Sequence, residues 1–448
     1  DSNMQPISRR SFIKKTATTA AAAGVLSGTS KTSWAGANDR VRVCVMGFNG
    51  RGKSHLGTYA QLDNVDVVTL CDVDSRLFNG AVNSFFTKRG KPEPKTEQDI
   101  RRVLDDKDVD VISIATPNHW HSLATIWACQ AGKDVYVEKP MTHNIYEGKK
   151  VVEAAAKYNR VVQHGTQLRS NPGFIEGINE LKNGIIGDVY MARCVCYKWR
   201  PDIGKGHPGK APEGLDWNLW QGPAQETPFF VNDKGEGIYV HYYWHWVWAY
   251  GNGDIGNQGV HQLDAARWGL GVKVPYRVAS MGGMFLWDNA KEIYNVSSTS
   301  FMFKGDDGKD KMMTLEVRPW CTNDEAGGTS FGVLFYGSKG WMTFPDYEGY
   351  KAYNGKENTL VKEASKGDDK YHFQNFIDCV RERDASKLNA PPIEGHYSSA
   401  LSHYALTGAR VNRVLEIDTN AEQVKNDDEA NSMLTRVYRE PFVVPEVV

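Results

Sequence analysis

Lys139 and His261 are the side chains whose types and settings could serve the oxidation of a secondary alcohol. That reaction needs a group to take the hydroxyl proton while the C–H bond faces a hydride acceptor. Lys139 lies in Glu138-Lys139-Pro140, directly after the apolar run Asp134 to Val137. It therefore stands at the carboxyl end of an expected strand, where an ammonium would hold the hydroxyl and lower the cost of developing alkoxide charge. The competing reading is a surface lysine beside a turn proline. His261 lies in Gly256-Asn257-Gln258-Gly259-Val260-His261-Gln262-Leu263-Asp264. Asn257, His261 and Asp264 recur at i, i+4 and i+7, one face of a helix, with Val260 and Leu263 on the neighbouring face. A lone helical histidine is more often a satisfied core residue, but one in a polar stripe is a better proton acceptor.

A place for the hydride carrier is written in Val41 to Asp72. A short apolar strand to Met46 precedes Gly47-Phe48-Asn49-Gly50-Arg51-Gly52, a helical run, the strand Val65 to Cys71 and then Asp72, twenty residues past Gly52. Glycines let a backbone approach a pyrophosphate, a helix N-terminus stabilises its charge, and the acid accepts from a ribose hydroxyl. The spacing is off-pattern, with Asn49 where the second glycine usually stands; the bland alternative is an ordinary strand-to-helix turn. Asp72 favours NAD over NADP because a carboxylate repels a 2′-phosphate, while Arg76 keeps NADP open.

The elements that must position these groups alternate. Helix Arg76 to Lys88, a proline-punctuated loop Lys91 to Lys95, a short helix ending at Leu104, strand Val109 to Ala115, helix Ser122 to Ala131, strand Asp134 to Val137, helix Ile145 to Tyr158 and strand Arg160 to His164 follow one another. This is the rhythm of an α/β, doubly wound, mostly parallel sheet with ligands at the carboxyl ends of its strands. Past residue 165 the rhythm changes. Phe174 to Asn183 reads as helix, and Val189 to Trp199, Val278 to Trp287, Val296 to Phe303, Met312 to Pro319 and Gly332 to Tyr347 have strand character. These imply an α+β second domain, residues 166–448, built on a large open antiparallel sheet, with helices His372 to Asp384 and His396 to Leu415 returning toward the first domain, residues 38–165.

Glu138-Lys139-Pro140, the glycine turn with Asp72, Thr116-Pro117-Asn118-His119 and the Gly256 to Asp264 helix together resemble the glucose-fructose oxidoreductase, inositol dehydrogenase and rhizopine family, Gfo/Idh/MocA. The resemblance covers nearly all of the chain beyond residue 37. It implies a Rossmann domain, an open sheet that mediates homo-oligomers, NAD or NADP, and a polyol, sugar or sugar-derivative substrate. It implies cofactor contacts from Gly47, Asn49, Gly50, Arg51, Gly52, Asp72, Thr116, Pro117, Asn118, His121, Glu138 and Lys139, and substrate contacts from Gln167 and Arg169. The family commonly has aspartate where this chain has Asn257, so a carboxylate-assisted relay is in doubt; Asp254 and Asp264 are candidate substitutes. His119 and His121 lack a third partner at metal-ligand spacing, so no metal is expected and both are read as lining the nicotinamide end.

His241-Tyr242-Tyr243-Trp244-His245-Trp246-Val247-Trp248-Ala249-Tyr250 packs six aromatics and two histidines into ten residues. Tyr243, Trp244 and His245 could wall a carbohydrate site, rings stacking on a pyranose and imidazole bonding its hydroxyls; an aromatic core plug or subunit contact is the equal alternative. The chain has thirteen tryptophans and twenty tyrosines, and a net charge of −1 leaves no basic footprint for nucleic acid. Ser8-Arg9-Arg10-Ser11-Phe12-Ile13-Lys14, a mild Ala/Thr/Gly run and Ala35-Gly36-Ala37 read as a twin-arginine export signal cleaved after Ala37, too short and polar to span a bilayer stably. That signal implies a soluble periplasmic protein. Seven scattered cysteines without a CxxC read as small core residues. The reading is then an exported NAD-dependent oxidoreductase of a sugar or glycoside hydroxyl. An NAD-dependent glycosidase working through transient C3 oxidation and elimination, and a non-catalytic sugar-binding protein, are the alternatives.

Overall fold

The central strands of the first sheet are buried on both faces and so need no alternation. The sheet's strands are β1 (Val41–Met46), β2 (Val65–Cys71), β3 (Lys95–Glu97), β4 (Val111–Ile114), β5 (Asp134–Val137) and β6 (Val162–His164), all parallel in the order β3-β2-β1-β4-β5-β6. Every residue of β4 and β5 is buried. The order reverses between β1 and β4, where Met46 pairs with Ile114, so Gly47 and Ala115 leave the sheet side by side and open a crevice between them. The computed structural model describes residues 40–448, and the expected export signal lies outside them. Edge strand β3 falls in and just after the stretch read as a loop; its exposed Lys-Thr-Glu sequence carries no apolar pattern.

The second sheet has ten strands. They include β7 (Val189–Cys196), β10 (Arg277–Gly283), β11 (Val296–Lys304), β12 (Asp310–Val317), β13 (Val333–Gly337), β14 (Gly340–Phe344), β15 (Gly349–Asn354), β16 (Thr359–Ser365), β17 (Leu415–Asp418) and β18 (Gln423–Val424); β8 (His207–Gly209) and β9 (Phe229–Val231) form a separate hairpin. The order is β16-β15-β14-β13-β7-β12-β11-β10-β17-β18. It is mixed, not wholly antiparallel, because β7 lies parallel to β12 in its middle. Alternate burial along β11 puts Phe301 and Phe303 into a core covered by the helices Pro172–Lys182, Val260–Leu270 and Pro392–Val411. That core fixes the helix bearing His261 against β7.

Both sheets belong to one compact unit that takes in all the described residues. Helix Lys370–Glu382 packs on the first sheet: Phe373 stacks on Tyr136 at 4.4 Å, and Arg51 pairs with Asp369 at 2.7 Å. Six of the seven cysteines are buried, all are unpaired, and Cys321 is exposed. Among the described residues no helix is long and apolar enough to cross a membrane, and no group of His, Cys, Asp or Glu is arranged to hold a metal ion.

Candidate functional site

The crevice at the carboxyl ends of β1, β2, β4 and β5 deepens into a cleft of about 240 Å³. Its glycine floor has a steric cause. Gly47 adopts φ +79°, where a Cβ would lie 2.9 Å from the Ala115 carbonyl, and a Cβ on Gly52 would meet the Gly47 carbonyl at 1.9 Å. Gly50, by contrast, faces open space and begins helix Arg51–Tyr59 without a side-chain cap. Amide N–H groups at this helix start remain free to meet phosphate oxygens. Asp72 accepts from the amides of Phe48 (3.2 Å) and Asp74 (3.0 Å), and burial raises its pKa while those bonds oppose the rise. Thr116 Oγ1, Asn118 Oδ1 and Arg51 Nη2 are buried without partners. Open space at the glycine, uncapped amides, an acid at the end of β2 and orphaned polar atoms fit a dinucleotide along this floor.

Glu138 anchors the deep end. It accepts from Arg51 Nε at 2.8 Å and pairs with His55 Nε2 at 3.1 Å, and although burial opposes ionisation, Arg51 and His55 hold it well below the usual carboxylate range. Lys139 beside it is depressed to about 8, chiefly by burial and further by Arg51 and Arg200. Its ammonium donates to the Asn257 carbonyl (2.7 Å) and to Asn257 Oδ1 (3.0 Å). Asn257 thus orients the lysine. Residues 255–259 form a π turn, so the helical face expected from i, i+4 spacing is broken between Asn257 and His261. His261 is buried, its Nδ1 has no partner, and burial with the charge of Lys139 keeps the ring neutral. His261 itself does not line the cleft, and the burial and Lys139 charge that keep its ring neutral also make it a weak proton acceptor, so its part in proton transfer depends on charge developing at the substrate oxygen.

Other expected contacts are placed differently. Arg169 and Asp264 do not line the cleft: Arg169 Nε bonds both carboxylate oxygens of Asp264 at 2.9 Å, Arg169 also pairs with Glu394 at 3.0 Å, and Ser398 donates to Asp264 at 2.5 Å. This buried network lies behind the helix and consumes both groups. Gln167 is also off the cleft, with Oε1 buried and unpartnered. Asp254 pairs with Arg200 at 2.8 Å and accepts from Trp246 Nε1 at 3.1 Å, so neither aspartate takes the place of a carboxylate at Asn257. His121 lines the cleft, held between the carbonyls of Pro140 (2.7 Å) and Thr116 (2.9 Å). His119 does not; it is buried against Trp220 and Tyr250 and bonded to the Trp220 carbonyl.

The aromatic segment divides between the two readings. Tyr242, Trp244 and His245 wall the cleft, with Trp244 and His245 stacked at 3.7 Å, whereas Trp246 and Tyr250 are fully buried and Tyr243 does not line it. His241, one of the two histidines of the aromatic segment, meets buried Asp74 at 2.8 Å, a pairing not foreseen, and sequence reasoning missed Gln98, Trp220 and His55. No local pattern reveals them, since each partner is distant in sequence. Arg76 bonds Asp74 at 2.8 and 2.6 Å and so is already engaged, which leaves Asp72 to set the ribose end in favour of NAD.

Residues 41–166 match the oxidoreductase family with NAD-binding Rossmann fold, GFO_IDH_MocA, and residues 337–444 match its C-terminal alpha/beta domain. A glycosyl hydrolase family 109 protein of Shewanella pealeana is 26% identical over 155 residues, 34% of each chain; the similarity therefore spans about a third of that relative. An aldose-aldose oxidoreductase from Caulobacter crescentus, solved with glycerol, superposes with a TM-score of 0.64 at 17% identity, covering 84% of this chain and 100% of the other. The WlbA dehydrogenase from Bordetella pertussis, solved with NADH and UDP-GlcNAcA, gives 0.61 at 19% identity, covering 85% and 99%.

Proposed function

Given that the chain belongs to the Gfo/Idh/MocA oxidoreductase family and carries its NAD-binding Rossmann fold, we propose that it moves a hydride between NAD and a secondary hydroxyl of a sugar or glycoside, with C3 of a pyranose among the candidate positions. The observation that carries this reading is the meeting at Lys139: a half-buried ammonium at the end of β5 that lines the cofactor cleft and is held there by Asn257 from the second domain. When bound, NAD supplies the hydride acceptor. Lys139 donates to the substrate hydroxyl and stabilises the oxygen as it becomes anionic, His261 takes the proton, and Trp244 and His245 give the sugar a stacking face and a hydrogen-bonding edge. The named neighbours, an aldose-aldose oxidoreductase and a dehydrogenase solved with a nucleotide sugar, support a carbohydrate substrate. The test is a screen of sugars and glycosides read at the NADH band and by product mass; no turnover of any of them sinks the proposal.

The glycosyl hydrolase family 109 relatives favour a second reading, in which C3 oxidation would acidify the C2 proton, elimination would release the aglycone, water would add across the resulting C1–C2 double bond, and return of the hydride to C3 would restore NAD. Aryl glycosides distinguish the two, because aglycone release without net NADH belongs to the second alone. We also propose periplasmic export by the twin-arginine signal, a functional boundary near residue 165, and homo-oligomers through the open face of the ten-stranded sheet, where Ser298 of β11 is exposed. Fractionation and light scattering test export and assembly.

A further inference from the structure

A second cavity, of about 320 Å³, lies where the start of helix Ile145–Lys157, helix Pro392–Val411 and residues 433–437 meet. It is far larger than the ~10–15 Å³ that holds one water by the same kind of measure. Its lining carries the cation Arg436 and no acidic residue. Arg436 donates to His143 Nδ1 at 3.1 Å and to the Ala249 carbonyl at 3.0 Å, leaving the rest of its donor fork unassigned. The nearest acid in its field, Glu147, is already met by Ser122 (2.6 Å), the His143 amide (3.0 Å), Asn144 (3.1 Å) and Tyr438 (3.0 Å). A half-buried guanidinium without an acid partner loses part of its hydration, and an anionic ligand offsets that loss.

Three further atoms in the lining residues are buried and unpartnered: His143 Nε2, His403 Nδ1 and Asn252 Oδ1. Their chemistry is readable. Because Arg436 can only donate, His143 Nδ1 accepts, so in the neutral ring Nε2 bears the proton; the Gly251 backbone attracts the ring but forms no well-aligned bond to Nε2, which leaves it open to a better acceptor. Asn252 Nδ2 donates one N–H to the His143 carbonyl at 3.1 Å, which orients its unpartnered Oδ1 as an acceptor in need of a donor. His403 and Asn252 are each 4% exposed. An anion is wanted at Arg436 and His143, and a hydroxyl at Asn252. We infer that this cavity binds a small hydroxylated carboxylate, of the class of sugar acids. The site is separate from the cofactor cleft and does not rest on the redox reading. It is coupled to that cleft by the chain: Asn252 packs its Cβ on Gly256, at the start of the π turn that holds Asn257.

The test is titration calorimetry of the NAD-loaded full chain with D-gluconate and D-glucuronate, against glucose and inorganic phosphate. One of the two acids binds saturably and raises the melting temperature, while glucose does not. Arg436→Gln weakens binding at least tenfold, and Thr435→Trp, at an exposed position in the lining, blocks it without touching a buried group. Lys139→Ala retains it. Absence of saturable binding up to about 10 mM overturns the inference. So does binding that survives both cavity variants but disappears in Lys139→Ala, which would place the acid in the catalytic cleft. Phosphate binding as well as the sugar acids overturns the hydroxycarboxylate assignment.

Discussion

Replacing Asn257 by aspartate should move the alkaline limit of turnover upward. Lys139 is brought to about 8 mainly by burial, so its ammonium, the form able to donate to the substrate oxygen, is lost as pH rises through that value. If the charged form is required, kcat/KM falls above about pH 8. The substitution is nearly isosteric and puts a carboxylate oxygen where Asn257 Oδ1 lies, 3.0 Å from Lys139 Nζ. Two unit charges at that separation attract by about 1.4 kcal/mol at the dielectric of water and about 5.5 kcal/mol at an effective dielectric of 20. Since about 1.4 kcal/mol corresponds to one pH unit, the limb should move up by at least about one unit. The assay is kcat/KM between pH 6 and 10 with saturating NAD, on the best substrate from the screen, with NAD affinity measured separately. A limb that stays in place in the variant, or a wild-type rate that climbs through pH 8 to a plateau, refutes the role given to the ammonium; the second outcome would make neutral Lys139 the base.

His261→Ala should lower kcat by about 10²–10⁴-fold with NAD affinity unchanged, as expected for loss of a general base; near wild-type rates would remove His261 from the mechanism. Arg169→Met leaves Asp264 buried without its main partner and should destabilise the fold by about 3–5 kcal/mol in urea unfolding, whereas a change below about 1 kcal/mol would mean that the network is not what holds the helix. Asp72→Ser removes the carboxylate that repels a 2′-phosphate and should lower the NADP Kd at least about tenfold relative to NAD, measured by fluorescence titration; unchanged preference would assign selectivity elsewhere.

The first sheet and its floor were legible because their signals are local. Gly47 and Gly52 are glycines for contacts with Ala115 and Gly47 itself, and Asp72 directly follows a valine-rich strand. Lys139 could be placed at a strand end for the same reason. The spacing argument at Asn257 and His261 failed in detail because it assumed α geometry, and the π turn at 255–259 turns Asn257 to the lysine. Arg169 was expected at the site from the family resemblance and Asp264 from helical spacing, yet a buried charge must find a partner, and each found the other. Strands β16 and β18 were missed because edge strands with one or both faces in water need no apolar pattern; β16 reads Thr-Leu-Val-Lys-Glu-Ala-Ser with most positions exposed. The pairing of His241 with Asp74 joins positions 167 residues apart, which no window of sequence can contain.

That pairing also bears on how the cofactor is kept. Residues following β7 cross the mouth of the first sheet and are tied to the segment just past Asp72: Ser75 N to the Gly214 carbonyl (2.9 Å), Asp216 N to the Val73 carbonyl (2.9 Å), Gln98 Nε2 to the Gly214 carbonyl (3.1 Å) and His241 to Asp74 (2.8 Å). Asp74 is buried, and against the cost of that burial Arg76 and His241 hold it below the usual carboxylate range. A dinucleotide on the glycine floor would lie beneath this strap, and its release would require some of these bonds to open. The expected behaviour is slow exchange, which suits an enzyme proposed to act where free NAD is scarce. Protein purified without added cofactor should release nicotinamide on denaturation, and NADH loaded into the cleft should dissociate about tenfold faster from His241→Ala, the kinetic counterpart of one hydrogen bond to a charged group at about 1.5 kcal/mol. Free exchange of NADH from the unmodified chain, or identical dissociation rates in the two proteins, would mean that the strap shapes the sugar site without restraining the cofactor.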